Sequence, residues 1–135
     1  MKKYSVVFGI ILVVLFIYII GLISYNHKYS DKTIKKELGA KLSEIGKTYY
    51  EEFYYEKALE GDPTKLINID NGIKIDLSSL SSYEFLDDYF KEDIVNKRTN
   101  EKCDYDSTLV IIYPDSPYKK SDYHIETVIN CGIEN

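Results

Sequence analysis

The feature that most constrains this chain is an uncharged apolar run near its N-terminus. Between Lys3 and Lys28 no residue carries a fixed charge, and residues 6–23 are almost wholly Val, Ile, Leu and Phe. About 18 or more such residues are enough to cross the ~30 Å hydrocarbon layer of a bilayer as a helix. The run predicts a transmembrane anchor over residues 1–27, with about residues 5–25 inside the bilayer. Residues 28–135 are then long enough for one water-facing domain.

The alternative to an anchor is a cleaved signal peptide. The apolar stretch of such a peptide is usually about 7 to 15 residues long and is followed by two small residues around the cleavage site. The best candidate sites place Leu22 and Ser24, or Ile19 and Gly21, where both residues should be small. No cysteine follows the run to accept a lipid. These observations favour an uncleaved, single-pass anchor.

Two signals about the orientation of this anchor disagree. Lys2 and Lys3 precede the run, as in a signal anchor whose N-terminus stays in the cytoplasm. The short segment directly after the run, residues 28–36, is also basic and holds four lysines, Lys28, Lys32, Lys35 and Lys36. A count of basic residues alone assigns that region to the cytoplasm. The leading pair, together with two cysteines that suit an oxidising compartment, favours a cytoplasmic N-terminus and an extracytoplasmic domain.

The region after the anchor is acidic. Residues 28–135 hold 15 basic and 22 acidic residues, a formal charge of −7. Such a charge argues against nucleic acid as a partner. Lysine outnumbers arginine sixteen to one and tryptophan is absent, a bias typical of an AT-rich genome. The 14 tyrosines are therefore weak evidence of function by themselves.

A long amphipathic helix is predicted over about residues 31–60, because apolar residues recur there every three or four positions with charges between them. The apolar stripe consists of Ile34, Leu38, Leu42, Ile45, Tyr49 and Phe53. Ser30 or Asp31 can cap the start of this helix, while Gly61 and Pro63 mark its end. Nothing before Ser30 requires a break, so the helix can continue directly from the anchor.

Two glycines, Gly39 and Gly46, lie seven residues apart and therefore on one face of the predicted helix. Each costs about 1 kcal/mol in a helix interior relative to alanine. We expect this face to pack closely against another element.

The segment from Tyr49 to Tyr55 carries five aromatic residues, too many for one helical stripe. In one interpretation the rest of the domain wraps this turn and the hydroxyl groups reach water. In the other, Tyr50, Tyr54 and Tyr55 form an aromatic surface for a partner or a glycan.

Residues from about 65 to 135 are predicted to form an antiparallel sheet region. The run from Ile67 to Ile75 predicts a hairpin closed by residues 70–72, with Gly72 in the left-handed conformation. The same run lacks the alternating acidic ligands and the closing glutamate of a calcium loop. Ser81 and Glu84 then form the pattern of a capping box at the start of a short helix.

The last two predicted strands and the two cysteines fit one antiparallel register. With Cys103 opposite Cys131, the apolar pairs on one face are Tyr105–Ile129, Leu109–Ile125 and Ile111–Tyr123. A directly opposed pair without hydrogen bonds has Cα atoms about 4.5 Å apart, which a disulfide can bridge. The register therefore predicts a half-buried pair of strands and a Cys103–Cys131 disulfide.

The sequence offers little catalytic chemistry. Two cysteines 28 positions apart and histidines only at 27 and 124 do not make a metal site, and no cofactor motif is present. His124 stands between Asp122 and Glu126 on one strand face, but no serine or cysteine lies at a recognisable nucleophile turn. An enzyme, such as a cell-envelope hydrolase, is the minority hypothesis.

An apolar N-terminal helix, an amphipathic helix and an antiparallel sheet with a late cysteine pair together resemble the type IV pilin and pseudopilin plan. The chain departs from that plan at the processing motif, because Gly9 is followed by Ile10 and the apolar run holds no glutamate. The resemblance implies an α+β surface protein that acts through protein contacts, as a minor pilin-like component. The alternative is a stand-alone envelope sensor or partner-binding protein.

Overall fold

The computed structural model describes residues 2–133 and has the α+β order that the sequence predicts. Helix α1 is Lys2–Lys28, and helix α2 is Asp31–Tyr49. A π-helix, Tyr50–Ala58, continues α2 and closes with a hydrogen bond from Leu59 N to Tyr54 O. Helical backbone thus covers most of the predicted range 31–60 before the chain turns away.

Helices α1 and α2 are separate, so the continuous helix that the sequence allowed does not form. Ser30 has an extended backbone (φ −65°, ψ 148°), and its side chain accepts a hydrogen bond from the backbone N–H of Thr33. The Thr33 hydroxyl donates to the His27 carbonyl at 2.9 Å, across the break. Because the serine satisfies a free N–H at the new helix start, the break costs little. The junction consists of Tyr29 and Ser30 alone.

The sheet among the described residues has three antiparallel strands in the order β1-β2-β3. These strands are Ile73–Asp76, Leu109–Pro114 and Tyr123–Val128. The predicted hairpin over residues 67–75 is wrong, since β1 pairs with β2 and the segment Pro63–Leu66 is a 3₁₀-helix. Strand β2 is apolar on both faces, and pairing on both of its edges leaves it in the centre of the sheet.

The register of β2 and β3 differs from the prediction by three residues. Leu109 pairs with Val128 instead of Ile125. An odd shift exchanges the faces of a strand, so Val110 and Ile112 are fully buried where Leu109 and Ile111 were expected to form the inner face.

The register shift of three residues arises at residues 105–107, which form a turn beside the disulfide instead of continuing the strand. Asp104 N still donates to Asn130 O, as the predicted register requires. Thr108 N then donates to Asp104 O, and Asp106 N donates to the Asp104 carboxylate at 3.0 Å. Such local bonding of an aspartate side chain is typical of turns. The cysteines therefore face each other as predicted, while the strands beyond them are shifted.

The predicted disulfide between Cys103 and Cys131 is present, with Cα atoms 4.1 Å apart and both side chains buried. The buried Asn96 amide donates to the Cys131 carbonyl at 3.1 Å, and Cys103 N donates to Ile94 O at 2.9 Å. The bond therefore joins the C-terminal segment to the polar loop that follows Ile94.

Two short helices follow β1, Leu77–Leu80 (α3) and the 3₁₀-helix Glu84–Phe90. Asp76 caps α3 by accepting from Ser79 N at 2.7 Å. The predicted capping box is wrong, because Ser81 lies after the last turn of α3 and donates to the Ser78 carbonyl instead.

Helix α2 packs its predicted stripe and its glycine face against the rest of the domain. The core contains side chains from α2, the sheet and both short helices: Ile34, Leu38, Leu42, Ile45, Leu77, Leu80, Leu86, Val110 and Ile112. A Cβ atom on Gly46 would lie 2.5 Å from Val110 Cγ1. On Gly39 it would lie 3.6 Å from the nearest atom, Thr127 Oγ1. The glycine face of α2 therefore packs closely against the sheet, as expected, and the contact is tightest at Gly46.

This difference predicts opposite effects of two matched substitutions. Gly46→Ala forces the stiff, buried Val110 to move, and we expect it to lower the free energy of unfolding by about 1 to 3 kcal/mol. Gly39→Ala meets ordinary contacts, and its better helix propensity should raise the same quantity by up to about 1 kcal/mol. Denaturant titration of the full chain in detergent measures both. Equal stabilities of the two variants would contradict the packing at Gly46.

Candidate functional site

Helix α1 exposes a large apolar surface along its whole length. It is 27 residues long, has a mean hydropathy of 3.3 over its most apolar 18 residues, and buries none of them against the rest of the protein. Even the large apolar side chain with the least exposure, Leu22, is 44% exposed. Exposed apolar area of this extent is far larger than the patches that proteins leave in water. Helix α1 is therefore long and apolar enough to cross a membrane.

The two ends of α1 carry the residue types that favour a membrane–water interface. Lys2, Lys3 and Tyr4 precede the apolar stretch, and Tyr25 and Lys28 follow it. At 1.5 Å per residue, Tyr4 and Tyr25 are about 31 Å apart along the helix, close to the ~30 Å hydrocarbon thickness. Tyrosine rings and lysine ammonium groups at that spacing suit the two headgroup layers.

The aromatic residues at the end of α2 form a cluster that is mostly internal. Tyr50 is fully buried, and its ring centroid lies 4.6 Å from that of Tyr123 on β3. Tyr54 and Tyr55 are half-buried, and the Tyr55 hydroxyl donates to the Tyr118 carbonyl at 3.2 Å. Because the domain covers Tyr50 completely, the interpretation of Tyr50 as part of a partner surface is wrong. Tyr54 and Tyr55 remain partly exposed.

A different set of rings reaches the surface. Phe53 and Tyr83 are half-buried, and Phe85 is 39% exposed. Their centroids are 4.9 Å (Phe53–Tyr83) and 5.6 Å (Tyr83–Phe85) apart, within the range of favourable ring contacts. We call these three residues the aromatic patch. The sequence analysis predicted a short helix in this segment but missed Phe85, because nothing local indicates that this ring lies beside Phe53 and Tyr83.

The Tyr50 hydroxyl is buried and has no hydrogen-bond partner within the described part of the chain. Burial in apolar surroundings raises the pKa of this phenol to about 12, because the charged form loses its hydration; neighbouring Tyr55 and Tyr54 and the Asp122 carboxylate add to the rise. Burial likewise raises the pKa of Tyr49 and Tyr123 above the usual range, with hydrogen bonds to Tyr83 and Glu51, respectively, adding to the effect.

Tyr50→Phe is expected to leave the free energy of unfolding unchanged or to raise it by about 1 kcal/mol at neutral pH, since it removes a desolvated hydroxyl and keeps the ring.

A phenol whose pKa is raised on folding contributes stability that is complete below its unfolded pKa near 10 and is lost as the pH rises through the folded value. The wild type should therefore lose stability above pH 10, and Tyr50→Phe should lose less. Urea titrations between pH 8 and 12 measure this. A neutral-pH loss above about 1 kcal/mol would show that the hydroxyl has a partner.

His124 pairs with a residue that the strand pattern did not indicate. Its Nδ1 lies 2.9 Å from the Asp115 carboxylate, and its ring stacks on Tyr113 with centroids 5.0 Å apart. Asp122 instead accepts from the backbone N–H of Lys119 at 2.9 Å. Both side chains of the pair are exposed.

The described residues carry a pocket but no metal-binding cluster. No group of three or more His, Cys, Asp or Glu side chains in residues 2–133 is arranged to hold a metal ion. A shallow pocket of about 390 Å³ lies between α2 and the segment before the disulfide. Its lining combines Ile34, Leu38, Ile94 and Val95 with charged side chains, among them Lys41 and Glu92.

Comparison with known proteins gave no matching family model, no similar curated protein and no similar solved structure.

Proposed function

We propose that this chain is a single-pass membrane protein whose α+β domain, residues 28–135, acts on the extracytoplasmic side by contact with other proteins. The observation that carries the proposal is helix α1, which is apolar throughout and buries none of its side chains within the protein. In water such a helix would be strongly unfavourable, whereas in a bilayer its side chains and its internally bonded backbone are both satisfied.

The proposed orientation has the N-terminus in the cytoplasm. The Cys103–Cys131 disulfide supports a domain in an oxidising compartment, and Lys2 and Lys3 support a cytoplasmic start. The lysines after α1 favour the opposite orientation by count. A folded domain of this length, however, is translocated largely regardless of its charge.

Action by protein contact is supported by the aromatic patch, because aromatic side chains are enriched in protein interfaces. Within this class we propose a minor pilin-like or pseudopilin-like component. An apolar N-terminal helix, an amphipathic helix packed on an antiparallel sheet and a late disulfide are in the same order as in those proteins.

The second candidate is a stand-alone envelope protein that does not assemble. The break at Tyr29 and Ser30 favours it, because pilin-like packing of subunits relies on a long helix that runs from the membrane into the domain. The two candidates agree about the anchor and differ in whether copies of α1 pack together outside the membrane.

Fractionation of cells tests the proposal in two steps. An anchored chain resists alkaline carbonate, dissolves in detergent and keeps the mass of the full sequence. A mature form that begins after Gly21 or Ser24 would contradict the anchor, and one that begins at Ile10 would support pilin processing. Shearing then separates the candidates, because a filament subunit is released in sheared material and a stand-alone protein stays with the membrane.

A further inference from the structure

Charge is strongly segregated along the domain. Residues 28–41 hold five lysines and two acidic residues, a formal charge of +3. Residues 42–135 hold 10 basic and 20 acidic residues, a formal charge of −10. The positive charge is therefore confined to the junction and the first three or so turns of α2, directly after the membrane helix.

The two acidic residues in this basic stretch are neutralised by cations from another part of the chain. Asp31 pairs with Arg98 at 2.5 Å, and Glu37 pairs with Lys97 at 3.0 Å. Lys28, Lys32 and Lys36 are exposed, and no ion pair involves them within residues 2–133. Lys28 lies 5.3 Å from the centre of the Tyr29 ring, a contact that still leaves its ammonium group in water. We call these three residues the lysine collar.

The collar lies within reach of the membrane surface for any angle between α1 and α2. If Tyr25 marks the edge of the hydrocarbon, Lys36 is at most about 18 Å beyond it, at 1.5 Å per helical residue and about 3.3 Å for the extended Ser30, and any bend brings it closer. The headgroup layer occupies about 5 to 8 Å of that distance, and charges interact over about 8 Å at physiological salt. Lys28 and Lys32 are nearer still.

We propose that the lysine collar binds the phosphate groups of anionic phospholipids around α1, so that the anchor selects these lipids from a mixed bilayer. The inference rests on the proposed membrane anchor and names the lipid class that binds where α1 leads into the domain. Exposed ammonium groups beside a bilayer attract anionic headgroups by about 1 kcal/mol each, and a large negative charge elsewhere on the domain would otherwise repel the same surface.

The test uses the full chain reconstituted in vesicles of phosphatidylcholine with a minor fraction of phosphatidylglycerol. Spin-labelled forms of each lipid report, by electron paramagnetic resonance, how strongly each associates with the protein. We expect at least about a fivefold preference for phosphatidylglycerol at low salt, which corresponds to one lysine near the surface. The preference should fall in 1 M salt, where charges are screened.

The decisive variant replaces Lys28, Lys32 and Lys36 by glutamine and should lower the preference at least about fivefold, leaving only what Lys2 and Lys3 at the other end of α1 sustain. A charge-matched control replaces three exposed lysines at or beyond the last turns of α2, Lys47→Gln, Lys57→Gln and Lys119→Gln, and should keep it. No preference in the wild type, an undiminished preference in the collar variant, or an equal loss in the control would each overturn the proposal. A chain that alkaline carbonate removes from the vesicles overturns the anchor as well, whereas a retained chain without lipid preference overturns this inference alone.

Discussion

Replacing both Cys103 and Cys131 by alanine is expected to lower the free energy of unfolding of the domain by about 3 to 4 kcal/mol. The bond closes a loop between residues 28 positions apart, and in the chain-entropy model a loop of that length restricts the unfolded chain by this amount. The domain is small, so the loss is a large share of a typical total of about 5 to 15 kcal/mol. Denaturant titration of the full chain in detergent measures it.

The control is the wild-type chain after reduction, which should lose a similar amount without any change of side chains. Single alanine substitutions should match the double variant, because either one removes the bond. If the reduced and oxidised wild type unfold at the same denaturant concentration, the disulfide does not stabilise this domain. Free thiols on both cysteines in protein from intact cells would further contradict the extracytoplasmic orientation.

Three lysines in the middle of α1, at Val13, Val14 and Leu15, are expected to move the chain from the membrane to the soluble fraction. A lysine at the centre of a membrane helix costs about 2.5 to 3.5 kcal/mol, so three of them cost roughly 9 kcal/mol. The apolar residues of α1 contribute about 0.3 to 0.6 kcal/mol each, a total of similar size and opposite sign. Immunoblots of carbonate-washed membranes and of the supernatant measure the distribution.

The matched control places alanine at the same three positions. It removes the same side chains without adding charge, and it should leave the chain in the membrane. Retention of the three-lysine variant after the carbonate wash would mean that attachment depends on a part of the protein other than α1.

The apolar helix α1, the buried stripe of α2 and the disulfide agree with what the sequence patterns predict, whereas the break at Ser30 and the start of the short helix do not. The stripe from Ile34 to Tyr49 is buried as its period indicates, and Cys103 and Cys131 face each other. The strand register was not predictable from alternation alone, since three residues after Asp104 form a turn that shifts everything beyond it. The aspartate at the start of that turn was the available signal. The partner of β1 depends on a contact with β2, far along the chain, which local patterns do not contain.

The candidate surface was predicted in part. A cluster of rings at the end of α2 was evident, but which of them reach water depends on the π-helix, whose wider turn changes the direction of each side chain. Tyr50 consequently lies inside, and the exposed rings include Phe85 from a separate segment. The long apolar helix α1 required no tertiary information, because an uncharged run of this length is evident wherever the domain packs.

With α1 in the bilayer as proposed, the short junction between α1 and α2 limits the distance from the membrane at which the domain can act. Two residues, held by the Ser30 and Thr33 hydrogen bonds, leave no slack that would let the domain move away from the bilayer. From Lys28 to Ala58 the helical backbone extends at most about 45 Å at 1.5 Å per residue. In the proposed arrangement, a partner of the domain would therefore have to come within a few nanometres of the lipid surface, which favours partners that are themselves membrane-bound over dissolved ones.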